Sequence, residues 1–316
     1  MRLIYEGKDI TGDVTVDSCV VDVRESGRLP LLRVTFDDAD GDWGGWRPKA
    51  GDSIEATSDE ACGSGKMYVS DANHQRGKMV ITAVPVKQPS TAKVQRWEKS
   101  SMLKAVNQMA SQLGLGVAVH GAQDISFDYM QQTGARNLAC MAECCALLGC
   151  MMDVFDGTAH VSSIAWAASQ KPVGTITIEE ESDHECRSVS SIGSCSASQS
   201  KIVCGSKDSS WDKPYRKELT ASYKSGDGEP MAWEVPARIG FANASQLRQC
   251  CKGLVAYQNS RRPLSSSVLD SPVPWTPGST IMTECEEIPS ASGKAMVARV
   301  RVDMVSGKTK VWWHAL

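Results

Sequence analysis

Hydrophobic and polar residues alternate with a period of two near both ends of the chain and recur at three- and four-residue spacing in its middle. That pattern predicts strands, then helices, then strands again. Leu32, Val34 and Phe36 alternate with Arg33 and Thr35, which places the apolar side chains on one face of a half-buried strand. Val14 and Val16 share one parity and Cys19, Val21 and Val23 the other, so a bulge or bend near Asp17-Ser18 is expected. Residues 66–73 and 78–84 flank Gln75-Arg76-Gly77, a polar segment ending in glycine that suits a hairpin loop. Residues 1–95 therefore predict a small sheet or barrel.

From Trp97-Glu98 the period changes. Met102, Leu103, Val106, Met109, Ala110 and Leu113 form a helical stripe, with Ser100 or Ser101 to cap it and Gly114 to stop it. Leu138, Met141, Cys145 and Leu148 form a second stripe between Thr133 and Gly149. Residues 151–155 and 158–164 then flank Asp156-Gly157, a dipeptide suited to the positive φ angles of a type I′ turn. Residues 96–170 read as a compact α/β unit. Beyond Lys171-Pro172 strand patterns return at 175–178, a helix is expected over 244–258, and the polar stretches 205–212 and 225–229 read as loops. Residues 171–316 form the third expected domain. The fold class is α+β: two tube-like β-barrel domains flanking a small α/β domain.

The last strands can be paired from the pattern alone. Ala298, Val300, Val302 and Met304 alternate with Arg299, Arg301 and Asp303, and apolar alternation resumes after Ser306-Gly307. A two-residue turn at Ser306 and Gly307 would pair Val302 with Val311, Val300 with Trp313, Asp303 with Lys310 and Arg301 with Trp312. This hairpin is expected to close the second barrel, with Val300, Val302, Val311 and Trp313 inside and Arg301, Lys310 and Trp312 outward. A weak echo links the outer domains: the Trp46 to Ile54 segment, with turn residues Pro48, Gly51 and Asp52, resembles Trp275 to Ile281, with Pro277 and Gly278. Each reads as a turn opening a strand.

Composition narrows the function. The chain has 316 residues, 41% of them hydrophobic and 22% charged, which fits a folded globular chain of two or three domains. Lys and Arg number 34 against 37 Asp and Glu, so no overall positive field favours nucleic acid as a primary partner. The opening Met1 to Gly7 lacks the apolar run of a signal peptide, and no stretch reaches the ~20 apolar residues of a spanning helix. No membrane anchor is expected. The twelve cysteines are accordingly expected as reduced thiols.

Candidate chemistry is sparse. Cys62-Gly63-Ser64-Gly65-Lys66 fails as a phosphate loop, because Glu60 and Met67 stand where a Walker loop needs glycine and Ser or Thr. Cys140, Cys144, Cys145 and Cys150 cluster, yet buried cysteine is a common small hydrophobe, and Cys145 is expected to face the core beside Leu138, Met141 and Leu148. Asp183-His184-Glu185-Cys186 puts an acid, a base and a nucleophile in a row, but successive strand residues point to opposite faces. Residues 179–181, three glutamates, read as a solvated edge. Neither a cofactor nor a metal is expected, and no catalytic residue is assigned. Nine tryptophans stand against four phenylalanines, and Trp43, Trp46, Trp312 and Trp313 are divided between core packing and subunit contact.

These features also come in a recognisable order. Trp-x-Pro-x-x-Gly-Asp at Trp46 to Asp52 is followed by Lys66-Met67-Tyr68-Val69-Ser70-Asp71, Ile81-Thr82-Ala83, and Trp97-Glu98 opening a helix. Then come Gly114-Leu115, Tyr129-Met130-Gln131-Gln132, Leu147-Leu148-Gly149 and the Asp156-Gly157 hairpin. The run resembles the late control protein D family of phage baseplate hubs, to which the hub part of type VI secretion spikes and the front half of many tail-tip proteins are related. The resemblance is clearest over 40–165 and returns from Phe241. It implies a non-enzymatic virion protein, a homotrimer whose two barrels per chain adapt a sixfold tail tube to a threefold spike or tip. The implied partners are a tail tube or distal tail protein, a spike or tip protein, and a tape-measure protein. It also implies assembly in the host cytoplasm before residence at the tail tip. Related readings are the hub of a contractile injection or type VI-like system and a tail-associated peptidoglycan hydrolase.

Overall fold

The computed structural model describes residues 1–25, 28–41, 43–87, 94–179, 183–186, 190–199, 202–203, 215–216, 218–261, 264–285 and 292–316. The fold is mostly β with a few helices: one large curled half-barrel sheet, smaller sheets and the helices packed on them. From one end the large sheet runs His184–Glu185, Leu264–Leu269, Thr309–Ala315, Gly293–Asp303, Val16–Arg24, Leu31–Asp37, Lys78–Val84, Met67–Gln75, Ser53–Thr57, Arg2–Tyr5 and Lys8–Asp9. Strands from the two ends of the chain are thus hydrogen-bonded into a single sheet, joined where Val16–Arg24 runs antiparallel to Gly293–Asp303. The Thr280–Cys285 strand branches from Gly293–Asp303 and carries Thr175–Ile178 in parallel.

The period-two pattern forms these strands as expected. Leu32, Val34 and Phe36 are fully buried, and the register shifts between Val16 and Ser18, where the parity change requires a bulge. The Met67–Gln75 and Lys78–Val84 hairpin turns on two residues rather than three. Gln75 pairs with Lys78, and Arg76 and Gly77 take φ of 53° and 69°, both positive as a type I′ turn requires.

Among the described residues two large hydrophobic cores result, with a small third cluster of Met151, Ala167 and Met296. One lies against the large sheet and joins Leu3, Val34, Phe36, Ile81 and Val300 with Trp313. The other surrounds the helices Met102–Ser111, Asn137–Leu147 and Ala244–Ser260. The first helix begins at Met102, but Ser101 makes no side-chain cap. Its first amides are satisfied from a distance instead: Met102 N–H donates to the Ile125 carbonyl at 3.0 Å and Leu103 N–H to Asp124 Oδ1 at 3.0 Å. The Ala244–Ser260 helix is capped locally. Asn243 Oδ1 accepts from Gln246 N–H and Gln246 Oε1 accepts from Ala242 N–H, a reciprocal arrangement that satisfies two amides. Strands Ile192–Gln199, Leu219–Lys224 and Glu229–Glu234 form a small sheet against this helix, so much of the segment 190–260 packs into the helical core. Gly253 permits the closest approach: a Cβ there would lie 2.1 Å from the Leu147 carbonyl oxygen. The expected strand 158–164 ends at Ser163, and a short helix, Ile164–Ser169, follows, capped by Ser163. The expected polar loop 205–212 and most of the glutamate run lie outside the described residues.

The C-terminal hairpin keeps its expected faces but not its expected register. Val300, Val302, Val311 and Trp313 are buried, Arg301 is exposed, and Lys310 and Trp312 are half-buried. The pairs are Val302 with Thr309, Arg301 with Lys310, Val300 with Val311 and Arg299 with Trp312. Ser306 and Gly307 are therefore not a two-residue turn but the second half of a four-residue loop, 304–307. Asp303 Oδ1 accepts from Val305 N–H at 3.1 Å, Gly307 N–H returns to the Asp303 carbonyl at 2.9 Å, and Gly307 has a φ of 72°. A bulge at Ala298 then lets Trp313 pair with Val297. The shift is two residues, so every side chain stays on its predicted face.

Candidate assembly surfaces

The seam joining the two ends of the chain is held by a charged lattice on the sheet face opposite the core. Asp22 receives two bidentate forks: Arg299 at 2.8 and 2.6 Å, and Arg24 at 3.0 and 2.5 Å. Burial pushes the Asp22 carboxyl up, but the hydrogen bonds and charges of Arg299 and Arg24 outweigh it, so it titrates below the usual carboxylate range. The Arg299 guanidinium lies over Trp312 at 4.2 Å and Lys310 approaches the same ring at 5.3 Å. Arg299, not Arg301, is thus the cation on Trp312, a consequence of the two-residue shift.

The turn residues occupy three places. Tyr5 donates to Asp52 Oδ2 at 2.6 Å, Lys49 N–H donates to the same atom at 2.7 Å, and Gly51, at φ 94°, donates to the Val69 carbonyl. Pro48 precedes this closure. Burial and the Asp52 carboxylate hold the Tyr5 phenol well above its ordinary range. Gly278, after Pro277, has a φ of 83° and donates to the Val297 carbonyl, and Thr280 Oγ1 donates to the Ala167 carbonyl at 2.6 Å. The two tryptophans that open these similar segments differ: Trp46 is exposed, whereas Trp275 is buried against Gly174. Asp156 and Gly157 take φ of 43° and 71° and join Phe155 to Thr158. This hairpin tip docks on the glycine loop: Gly65 lies so close that a Cβ would sit 3.0 Å from Asp156 Cα. The loop is itself locked, because Ala56 N–H donates to Ser64 Oγ and Cys62 N–H to the Val273 carbonyl, so it is a structural connection.

Between the two cores lie buried acids that sequence reasoning missed. Burial, and then the negative charge of Glu25, push Asp153 up to about 8, so it is protonated at neutral pH. Glu25 Oε1 lies 3.3 Å from His314 Nε2 and 3.8 Å from Arg261. Asp153 also lines a cavity of about 350 Å³ with His120, His160, Trp166 and Gly278. His120 stacks on Trp166, and its Nε2 lies 3.4 Å from His160 Nδ1. The forewarning in the sequence is a lone Asp in the otherwise apolar strand Cys150–Phe155, which is buried on both faces.

The clustered cysteines are packing residues. Cys145 is buried in one core with Leu138, Met141 and Leu148. Burial raises Cys145 and brings Cys150 to about 12, while the hydrogen bond shared by Cys140 and Cys144 lowers Cys140 and raises Cys144. A thiol so raised is a poor nucleophile and a poor metal ligand. Among the described residues no group of three His, Cys, Asp or Glu could hold a metal ion. His184–Glu185 is a two-residue strand paired with Ser266 and Ser267.

Neither a protein-family model nor a curated protein matches the sequence. Solved structures do match, over nearly the whole chain. The tail protein from Neisseria meningitidis MC58 is 12% identical, aligns over 99% of this chain and 95% of its own length, and gives a TM-score of 0.67. The 43 kDa tail protein of prophage MuSo2 from Shewanella oneidensis, also 12% identical, aligns over 99% and 97% at 0.58. The E. coli protein c3393, described as a component of the type VI secretion system similar to the T4 tail proteins gp27 and gp5, is 7% identical and aligns over 100% and 77% at 0.59. The chain therefore shares the fold of phage tail proteins and of a related secretion-system component.

Proposed function

We propose that this chain is a structural, non-enzymatic hub at the tip of a phage tail, three copies of which form a ring that adapts a sixfold tube to a threefold spike or tip. The observation that carries this reading is the full-length match in fold to tail proteins from different bacteria. In this reading residues 1–95 and 171–316 each supply a tube-like barrel unit, joined at the Asp22 seam, and residues 96–170 lie outside the ring. A half-barrel sheet that ends at the short strands Lys8–Asp9 on one side and His184–Glu185 on the other suits completion by neighbouring copies. The partners would be a tail tube or distal tail protein above, a spike or tip protein below, and a tape-measure protein in the channel. Similarity to the type VI component supports a second setting for the same architecture, a secretion-system hub.

Electron microscopy of the purified chain tests this reading. A ring with threefold symmetry and six barrel-like units around a channel is expected, and a compact monomer with no channel would refute it. A cell-wall turbidity assay tests the hydrolase alternative. No clearing is expected, and clearing by the purified chain would overturn the non-enzymatic reading.

A further inference from the structure

Charge is segregated on the face of the large sheet that turns away from its core. Arg33 and Arg301 are exposed there, with Lys310 half-buried beside them, and none of the three lies within ion-pair distance of an acid among the described residues. Arg24 and Arg299 share the single carboxylate of Asp22 in the same patch. On a chain whose net charge is −3, this is a local excess of positive charge. Four residues along the same strand, and on the same face by strand parity, is Asp37, about 13 Å from Arg33 at the rise of an extended chain.

Asp37 opens an acidic cleft of about 270 Å³, whose lining includes Asp13, Asp37, Asp38, Asp40, Trp43 and Trp46. Lys8 pairs with Asp13 and His74 with Asp38, Lys78 stands opposite Asp37 on the neighbouring strand while pairing with Asp17, and Asp40 has no ion pair among the described residues. Trp46 is 41% exposed, the indole being fixed against Trp43 at 4.9 Å between ring centres, with Lys8 Nζ 5.9 Å from its ring centre. A fixed, exposed indole that already draws one cation, beside the exposed carboxylates of Asp37 and Asp40, fits an arginine, which can stack on the ring while donating to the acids. The chain already uses that pairing internally at Arg299 and Trp312.

We propose that a second copy of this chain docks at this cleft, presenting its Arg33, Arg301 and Lys310 face to Asp37, Asp40 and Trp46. The two patches are complementary in sign and are centred about 13 Å apart along one strand, so each copy can give one and receive the other. The inference rests on the trimer reading and specifies which surfaces meet. An acidic segment of another protein is the competing occupant of the basic face.

The test is the solution mass of the full chain against salt concentration, for wild type, Arg33→Glu with Arg301→Glu, Asp37→Arg with Asp40→Arg, and all four changes together. All four side chains are exposed, and circular dichroism checks that each variant folds. The wild-type trimer is expected to weaken as salt rises, each double reversal to weaken assembly at least tenfold at low salt, and the fourfold swap to restore it. A trimer indifferent to both reversals would overturn the contact and leave the ring intact. Reversals that break assembly without restoration by the swap would show that the two faces do not meet each other and would overturn the proposal. A salt-sensitive dimer rescued by the swap would support the contact and refute the threefold ring. A wild-type monomer at every concentration would refute both.

Discussion

The core under the large sheet is built mainly on Leu32, Val34, Phe36, Ile81, Val300, Val302 and Trp313, with Met67, Met79, Cys19, Cys62 and Cys285 among them, whereas the helical core is richer in sulfur: Met102, Met109, Met130, Met141 and Met152, with Cys140, Cys144, Cys145, Cys150, Cys195, Cys250 and Cys251. Branched side chains suit a regular pleated face, because each occupies a defined position and a one-residue slip expels the whole set. Unbranched methionines and small thiols fill the irregular gaps where three helices meet strands that approach at different angles. The sheet core therefore depends on position, and the helical core on volume.

The largest expected effect breaks the sheet core. Trp313→Ala removes a fully buried indole at the strand pair nearest the seam, and should cost about 3–5 kcal/mol in a denaturation midpoint experiment. A loss below about 1 kcal/mol would mean that Trp313 is not a core side chain.

The next effect concerns the acids between the two cores. Asp153 titrates near 8 in the folded chain and near 4 when unfolded, so between those values the folded state holds a proton that the unfolded state has lost. The associated stability is complete below about pH 4 and is lost as pH rises toward 8, by an amount on the order of a few kcal/mol. Asp153→Asn should flatten the fall in melting temperature over that window. A fall unchanged by the substitution would show that other groups carry it.

Two substitutions then compare fit with volume inside the helical core. Gly253→Ala forces a methyl against the Leu147 carbonyl, a backbone atom that cannot rotate away, and should cost about 1–3 kcal/mol. Met141→Leu, nearly equal in volume, should cost less than about 1.5 kcal/mol although Met141 is fully buried. If the methionine swap proves the more damaging of the two, the contrast drawn between the cores fails.

Much of this architecture was legible locally. The Asp17-Ser18 bulge, the three long helices and the Asp156-Gly157 turn follow from parity, periodicity and the φ demands of a two-residue turn. What escaped depends on remote groups. Asp124, not Ser101, satisfies the first helix, and it reaches that position only after an intervening strand folds back. The C-terminal register moved by two residues because the Asp303 side chain organises a longer loop and Ala298 adds a bulge whose carbonyl accepts from Glu25 N–H, both set by tertiary contacts. The pairing of the two chain ends in one sheet, and the packing of 190–260 into the helical core, join residues too far apart in sequence for any local pattern to connect.

The central claim is that this chain works as a threefold ring, and native mass spectrometry of the purified protein tests it most directly. The account predicts a dominant species of three times the 34.1 kDa chain mass at low micromolar concentration. A monomer, or a closed ring of any other number of copies, would contradict it.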